Sequence, residues 1–169
     1  MGPSLETLFA SLPQPVPLPP FQLIDPTAVP EPFHQLLVHD RHMTMAMESY
    51  HQCKIRVQVL QRQQSPEWYA RQILLLPVGS DRVVQGGIVR IHLHMLEPEV
   101  QQAILREDTP LGHVLIHHEV LRHIEVTNYV RFEHLHWQGF KNNTPAYGRL
   151  GILYCDLQPA IELFEVVPG

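Results

Sequence analysis

Two charged residues sit inside apolar, strand-like runs. Arg71 lies in "WYARQILLLPV", on one face with Ile73 and Leu75. Glu162 lies in "QPAIELFEVV", on one face with Ala160, Phe164 and Val166. An ionised side chain on such a face costs several kcal/mol unless something pairs with it. An arginine in that setting suits bidentate binding of a carboxylate, and a glutamate beside an apolar wall is tuned toward general-base work. Two readings stand open: the pair salt-bridges each other, or both look into a ligand pocket. Arg90 in "GGIVRIHL" and Arg149 in "YGRLG" are further arginines embedded in strands. Gly86 and Gly87 mark a bulge or a close backbone approach beside Arg90.

Histidine is abundant, at 12 residues. "GHVLIHHE" spaces His113 and His117 four apart, and "IHLH" puts His92 and His94 on one strand face. Either pair supplies two metal ligands, but no third follows at diagnostic spacing and there is no HExxH. Solvated or capping histidines are the default, and no metal is expected. Nucleophile-elbow, P-loop and dinucleotide-binding motifs are absent, so acyl-enzyme, phosphoryl-transfer and dinucleotide redox chemistry lose weight.

The elements that must hold these residues follow from pattern. "SLETLFAS" predicts a short helix capped by Ser4. Half of the 16 prolines fall within residues 13–32, which predicts an extended arm rather than a helix or a central strand. "EPFHQLLVHD" reads as a second short helix. "MTMAMESY" alternates, with Met43, Met45 and Met47 on one side. "KIRVQVLQRQ" alternates cleanly, with Ile55, Val57 and Val59 inward. Residues 68–93 read as a hairpin turning at "GSDR". "LEPEVQQAILRED" and "TPLGHVLIHHE" read as helical, "VLRHIEVTNYVRFEHLHW" as a long strand, and "YGRLGILYCDLQPAIELFEVV" as a hairpin turning at Asp156–Pro159. Strands joined by short turns, with few helices, define an α+β expectation: a single antiparallel sheet of about six strands with helices packed on it. Residues 1–32 form a helix and proline-rich arm, and residues 33–169 the domain proper.

Bulk properties limit the function classes. The chain has 169 residues, a formal net charge of −5 and 17% charged residues. One domain with a real core fits that length, and a mild acidic balance argues against a nucleic-acid partner. No apolar run reaches membrane-spanning length, and "MGPSLETLFASLPQP" lacks a signal-peptide pattern. Cys53 and Cys155 form no metal or redox motif and read as reduced thiols, so a cytoplasmic location is expected.

Four segments, "HDRHMTMAMESY", "YARQILLL", "TPLGHVLI" and "YCDLQPAIELFEVV", stand in an order that resembles the chorismate lyase (chorismate–pyruvate lyase, 4-hydroxybenzoate synthase) family over roughly residues 33–167. The resemblance implies a six-stranded antiparallel sheet over a buried ligand cavity beneath helical flaps. It also implies cofactor-independent cleavage of chorismate to 4-hydroxybenzoate and pyruvate, in the service of quinone biosynthesis. By the same resemblance Met43 and Leu111 contact the ligand, Arg71 binds its carboxylate, and Glu162 faces the ring hydroxyl as the candidate base. Where enterobacterial members carry an arginine on the fourth strand, Ile88 stands here. Arg90, two residues on, is the expected substitute, and Arg149 survives from a paired-arginine segment; either would hold the enolpyruvyl carboxylate. The same broad fold also serves as a non-catalytic effector-binding domain, so a binder of small aromatic carboxylates is the alternative function. Oligomeric state stays open between monomer and dimer.

Overall fold

A computed structural model describes residues 2–169. Seven strands form one antiparallel sheet: β1 (Phe21–Ile24), β2 (Ile55–Gln64), β3 (Tyr69–Pro77), β4 (Gln85–Ile91), β5 (Arg122–Phe132), β6 (Ala146–Cys155) and β7 (Gln158–Val167). Their spatial order is β1-β5-β6-β7-β4-β3-β2. The helices are α1 (Leu5–Ala10), α2 (Phe33–Leu37), α3 (Met43–His51), α4 (Pro98–Leu105) and α5 (Leu111–His117). The class is α+β, as the alternating runs and short turns predict.

The seventh strand comes from the arm. Phe21 to Ile24 pair with Phe132 to Tyr129 at the end of the sheet, an edge position, where flanking prolines are tolerated. Farther back, Gln14 and Gln61 of β2 exchange two hydrogen bonds, so the arm crosses the sheet from its opposite edge. Val16 and Leu18 pack on a core cluster along the way. The Ser4 side chain accepts from the Thr7 N–H, the cap that starts α1. Leu5, Leu8 and Phe9 of that helix are buried against the same cluster.

The segment "MTMAMESY" is helix, not strand. Alternating methionines mimic a strand, but Met43, Ala46 and Met47 are the buried set, at the three- and four-residue spacing of a helix face, while Met45 is exposed. Met, Ala and Glu are also strong helix formers.

The two faces of the sheet are covered differently. On one lie α1, the arm and a loop carrying Trp137 and Phe140, over Leu74, Ile88, Phe164 and Val166. On the other lie α2 to α5, over Ile73, Leu75, Val89 and Leu163. Period-two alternation therefore decides which side each functional residue faces. β6 and β7 turn through Asp156 and Leu157, both at positive φ (50° and 69°), as a tight two-residue hairpin turn requires. Cys53 and Cys155 are free thiols. Among the described residues no helix is long and apolar enough to cross a membrane.

Gly87, in the centre of β4 on the α2–α5 side, keeps that face open. A Cβ there would stand 2.9 Å from the Phe164 carbonyl oxygen, a backbone atom that has little room to yield. Gly87→Ala is expected to destabilise the fold by about 1–3 kcal/mol through this overpacking, measurable by chemical denaturation.

Candidate functional site

Between the sheet and the helices α3 and α5 lies a largely enclosed cavity of about 60 Å³. That is smaller than the ~300–1,000 Å³ of ordinary small-molecule sites, so a ring enters only as the roof helices draw back. Its floor is Gly87 with Arg71, Ile73 and Leu75 of β3, Val89 of β4, and Leu163 and Glu165 of β7. Its roof is His42, Met43 and Thr44 from the start of α3 and Leu111 and Gly112 from the start of α5. The two roof helices touch closely: a Cβ on Gly112 would lie 3.0 Å from His42 Cβ. Below them, His113 Nε2 of α5 stands 2.9 Å from Glu48 Oε1 of α3.

Arg71 is 1% exposed, and among the described residues no carboxylate lies within ion-pair distance of it. Its Nε has no hydrogen-bond partner, and Nη1 makes only a long 3.4 Å contact to the Ile104 carbonyl. Glu107, which lies nearby, is already engaged: it accepts from Arg62 Nε at 2.7 Å and from the Tyr69 hydroxyl. Burial, helped by that bond to Glu107, pushes the Tyr69 phenol up to about 12, so it stays a neutral donor. Arg71 is thus a buried cation without a direct ion pair, offset only by Glu107 at longer range and by the Tyr69 ring 6.0 Å from its Cζ, so its burial is costly in the empty protein.

Among the described residues, five buried side-chain polar atoms lack a hydrogen-bond partner: His42 Nε2, Arg71 Nε, Gln85 Oε1, Trp137 Nε1 and Thr144 Oγ1. The first three belong to cavity-lining residues. Buried polar groups are normally satisfied, so this concentration marks where a ligand's polar atoms belong.

Glu165 is the carboxylate that reaches the cavity. In register it faces Gly87 on β4 and Arg149 on β6. Arg149 Nε donates to Glu165 Oε1 at 2.9 Å. The rest of the Arg149 guanidinium, 0% exposed, donates to the carbonyls of Leu37, His39 and Arg41. Arg149 therefore holds Glu165 and the α2–α3 loop in place, with four hydrogen bonds from its five N–H donors to protein oxygens. It does not line the cavity.

Of the residues expected from sequence, Arg71, Met43 and Leu111 converge on the cavity. Glu162 and Arg90 do not. They stand opposite each other in register on the other face of the sheet, with Arg90 Nε 2.6 Å from Glu162 Oε2. His92 Nε2 lies 3.7 Å from the same oxygen. The reason is parity: Glu162 and Glu165 are three residues apart on one strand, so their side chains leave on opposite sides. Arg71 and Glu162 neither pair with each other nor share a pocket, so neither of the two open readings describes them. Sequence reading missed Glu165, His42, Thr44 and Gln85. For Glu165 the turn alone misleads: a tight turn at 156–157 would set Phe164 opposite Arg149, and an irregularity between Leu153 and Cys155 shifts the register by one and brings Glu165 there.

His42 is held neutral. Burial is the main cause, with the positive charges of Arg122 on β5, Arg149 on β6 and His113 on α5 adding to it, and together they lower its pKa to about 4. The unfolded chain takes up this proton near 6.5 and the folded chain only near 4. The contribution to stability is therefore fully present above about pH 6.5 and is lost as pH falls toward 4. Two results are expected: the His42 ring signals in NMR stay in a neutral form down to about pH 5, and wild type loses more stability between pH 7 and 5 than His42→Gln.

Among the described residues no cluster of three or more His, Cys, Asp or Glu side chains could hold a metal ion. His113 faces Glu48, and His92 and His94 pack edge to face at 6.1 Å.

Fold and site together define an α+β domain with an enclosed, mostly apolar cavity around an unmatched arginine. No family model matches the chain, and no curated protein matches it. The crystal structure of PhnF from Mycobacterium smegmatis is similar at a TM-score of 0.49 and 10% identity. That match covers 76% of this chain and 64% of the PhnF chain, so this chain spans a little under two thirds of that length.

Proposed function

We propose that the cavity binds a small aromatic carboxylate of hydroxybenzoate type, and that the chain forms it by cleaving chorismate to 4-hydroxybenzoate and pyruvate. The buried, unmatched Arg71 carries this reading. An anion that enters the cavity regains for the guanidinium what burial removed, and a carboxylate meets its two-pronged donor geometry. Met43, Val57, Ile73, Val89, Leu111 and Leu163 supply apolar walls for a ring. The second oxygen of Glu165, across Gly87, accepts from a ring hydroxyl. The role first assigned to Glu162 thus passes to Glu165.

The reaction asks for positioning more than for power, because aromatisation supplies the driving force. Arg71 fixes the ring carboxylate. Glu165 takes the proton from the carbon that bears the hydroxyl. That bond pair closes the ring π system, and the enolpyruvyl C–O bond breaks with its pair on oxygen. The enolate then takes a proton on its CH2 carbon to give pyruvate. The test is incubation of purified protein with chorismate: 4-hydroxybenzoate and pyruvate are expected in equal amounts, and absence of both removes the lyase reading.

One observation favours a second reading, a non-catalytic binding domain for the same aromatic acids. Chorismate is a dianion, and Arg71 is the one cationic side chain among the cavity-lining residues. Equilibrium dialysis separates the two. A pure binder retains 4-hydroxybenzoate and leaves chorismate intact.

A further inference from the structure

His42 is the cavity-lining polar residue that the binding of a hydroxybenzoate leaves unused. Its Nε2 is buried and unpartnered. Its side chain caps nothing, although it occupies the cap position of α3. Close packing of its Cβ and Cγ against Gly112 of α5 fixes where the ring lies. Such a group is costly to bury unless a ligand completes it.

Chorismate differs from 4-hydroxybenzoate by the enolpyruvyl ether, and that is the group that leaves. Arg71 is committed to the ring carboxylate, and every listener on the Arg149 guanidinium is a protein oxygen. Arg90 is bonded to Glu162 on the far face. Gln85 presents an unpartnered Oε1, an acceptor, and its amide Nε2 lies beside Gly87 on the floor. His42 Nε2 is the buried, unpartnered ring nitrogen on the roof, and as an N–H it can donate to oxygen.

Resting on the lyase reading above, we propose that His42 is a catalytic residue for the departing group: its neutral ring donates Nε2–H to the ether oxygen as the C–O bond breaks. The electron pair of that bond goes to the oxygen, the hydrogen bond stabilises the enolate that results, and the ring proton stays on nitrogen. The contact strengthens as charge develops, so it acts on turnover rather than on product binding.

The experiment compares chorismate turnover with 4-hydroxybenzoate binding in wild type, His42→Ala and His42→Gln. His42→Ala is expected to lower kcat by about 100-fold, the usual scale for one lost oxyanion donor. Its Kd for 4-hydroxybenzoate, which has no enolpyruvyl group, should stay within about threefold of wild type. His42→Gln, which keeps an N–H donor, should recover part of the turnover. The proposal is overturned by a His42→Ala enzyme with near wild-type kcat, or by equal losses in turnover and in 4-hydroxybenzoate binding, which would mean a structural role. A wild-type protein that binds 4-hydroxybenzoate but never cleaves chorismate overturns the lyase reading itself, and this inference with it.

Discussion

Arg71→Met should unfold at a higher temperature than wild type while losing 4-hydroxybenzoate binding by at least about 100-fold. The two effects share one cause. In the empty protein the guanidinium is 1% exposed and has no carboxylate partner. Methionine has a similar length, fills irregular apolar space and brings no charge. Replacing buried charge by well-packed apolar groups is commonly neutral or stabilising by about 1–4 kcal/mol. For a chain of this size each kcal/mol shifts the midpoint by roughly 2–4 °C. Binding goes the other way, because a charge-assisted two-pronged contact is lost and the ligand's carboxylate is left in an apolar cavity. A purely structural arginine would do the opposite: its removal would lower the melting temperature and leave ligand affinity alone.

The second large effect separates two glutamates of one strand. Glu165→Ala leaves Arg149, a fully buried cation, without its acid, and is expected to cost about 3–5 kcal/mol. Glu165→Gln keeps an acceptor for Arg149 Nε and should fold, yet lose chorismate turnover, since an amide cannot take a proton. Glu162→Gln should do little to either. Its carboxylate and Arg90 are both about one-fifth exposed, on the face away from the cavity, where such pairs contribute roughly 0–1 kcal/mol. Thermal melts and steady-state turnover on the three variants give the comparison. A Glu162→Gln enzyme that is inactive beside an active Glu165→Gln would reverse the assignment.

Strand alternation carried much of this architecture into plain view. "KIRVQVLQRQ", "YARQILLLP" and the final hairpin all fold as strands, and "YARQILLLP" is buried along nearly its whole length because both faces of the sheet are covered there. The edge strand β1 was hidden, since prolines around Phe21–Ile24 mask a four-residue strand that needs only one neighbour. The helix α3 was hidden for another reason: methionine at every second position satisfies the strand pattern, and only packing on α2 and α5 selects the helix.

The site was legible where residue type and position agreed. Arg71 could be singled out because a buried strand rarely carries a lone cation. Met43 and Leu111 came from resemblance, and both line the cavity. Glu162 was singled out by its apolar strand face and given its role by resemblance, but that face turns away from the cavity. The carboxylate that lines the cavity is Glu165, three residues on. His42 and Gln85 had no sequence signal, because what marks them is an absent partner, which only the folded chain reveals.

On the proposed function, an aromatic carboxylate lies in the cavity between Arg71 and Glu165. A crystal structure with 4-hydroxybenzoate tests it most directly. The carboxylate is expected on the Arg71 guanidinium and the phenol oxygen on Glu165, each at about 3 Å, with the ring against Met43 and Leu111. A ligand bound outside this cavity, or a cavity still empty at saturating 4-hydroxybenzoate, would contradict it.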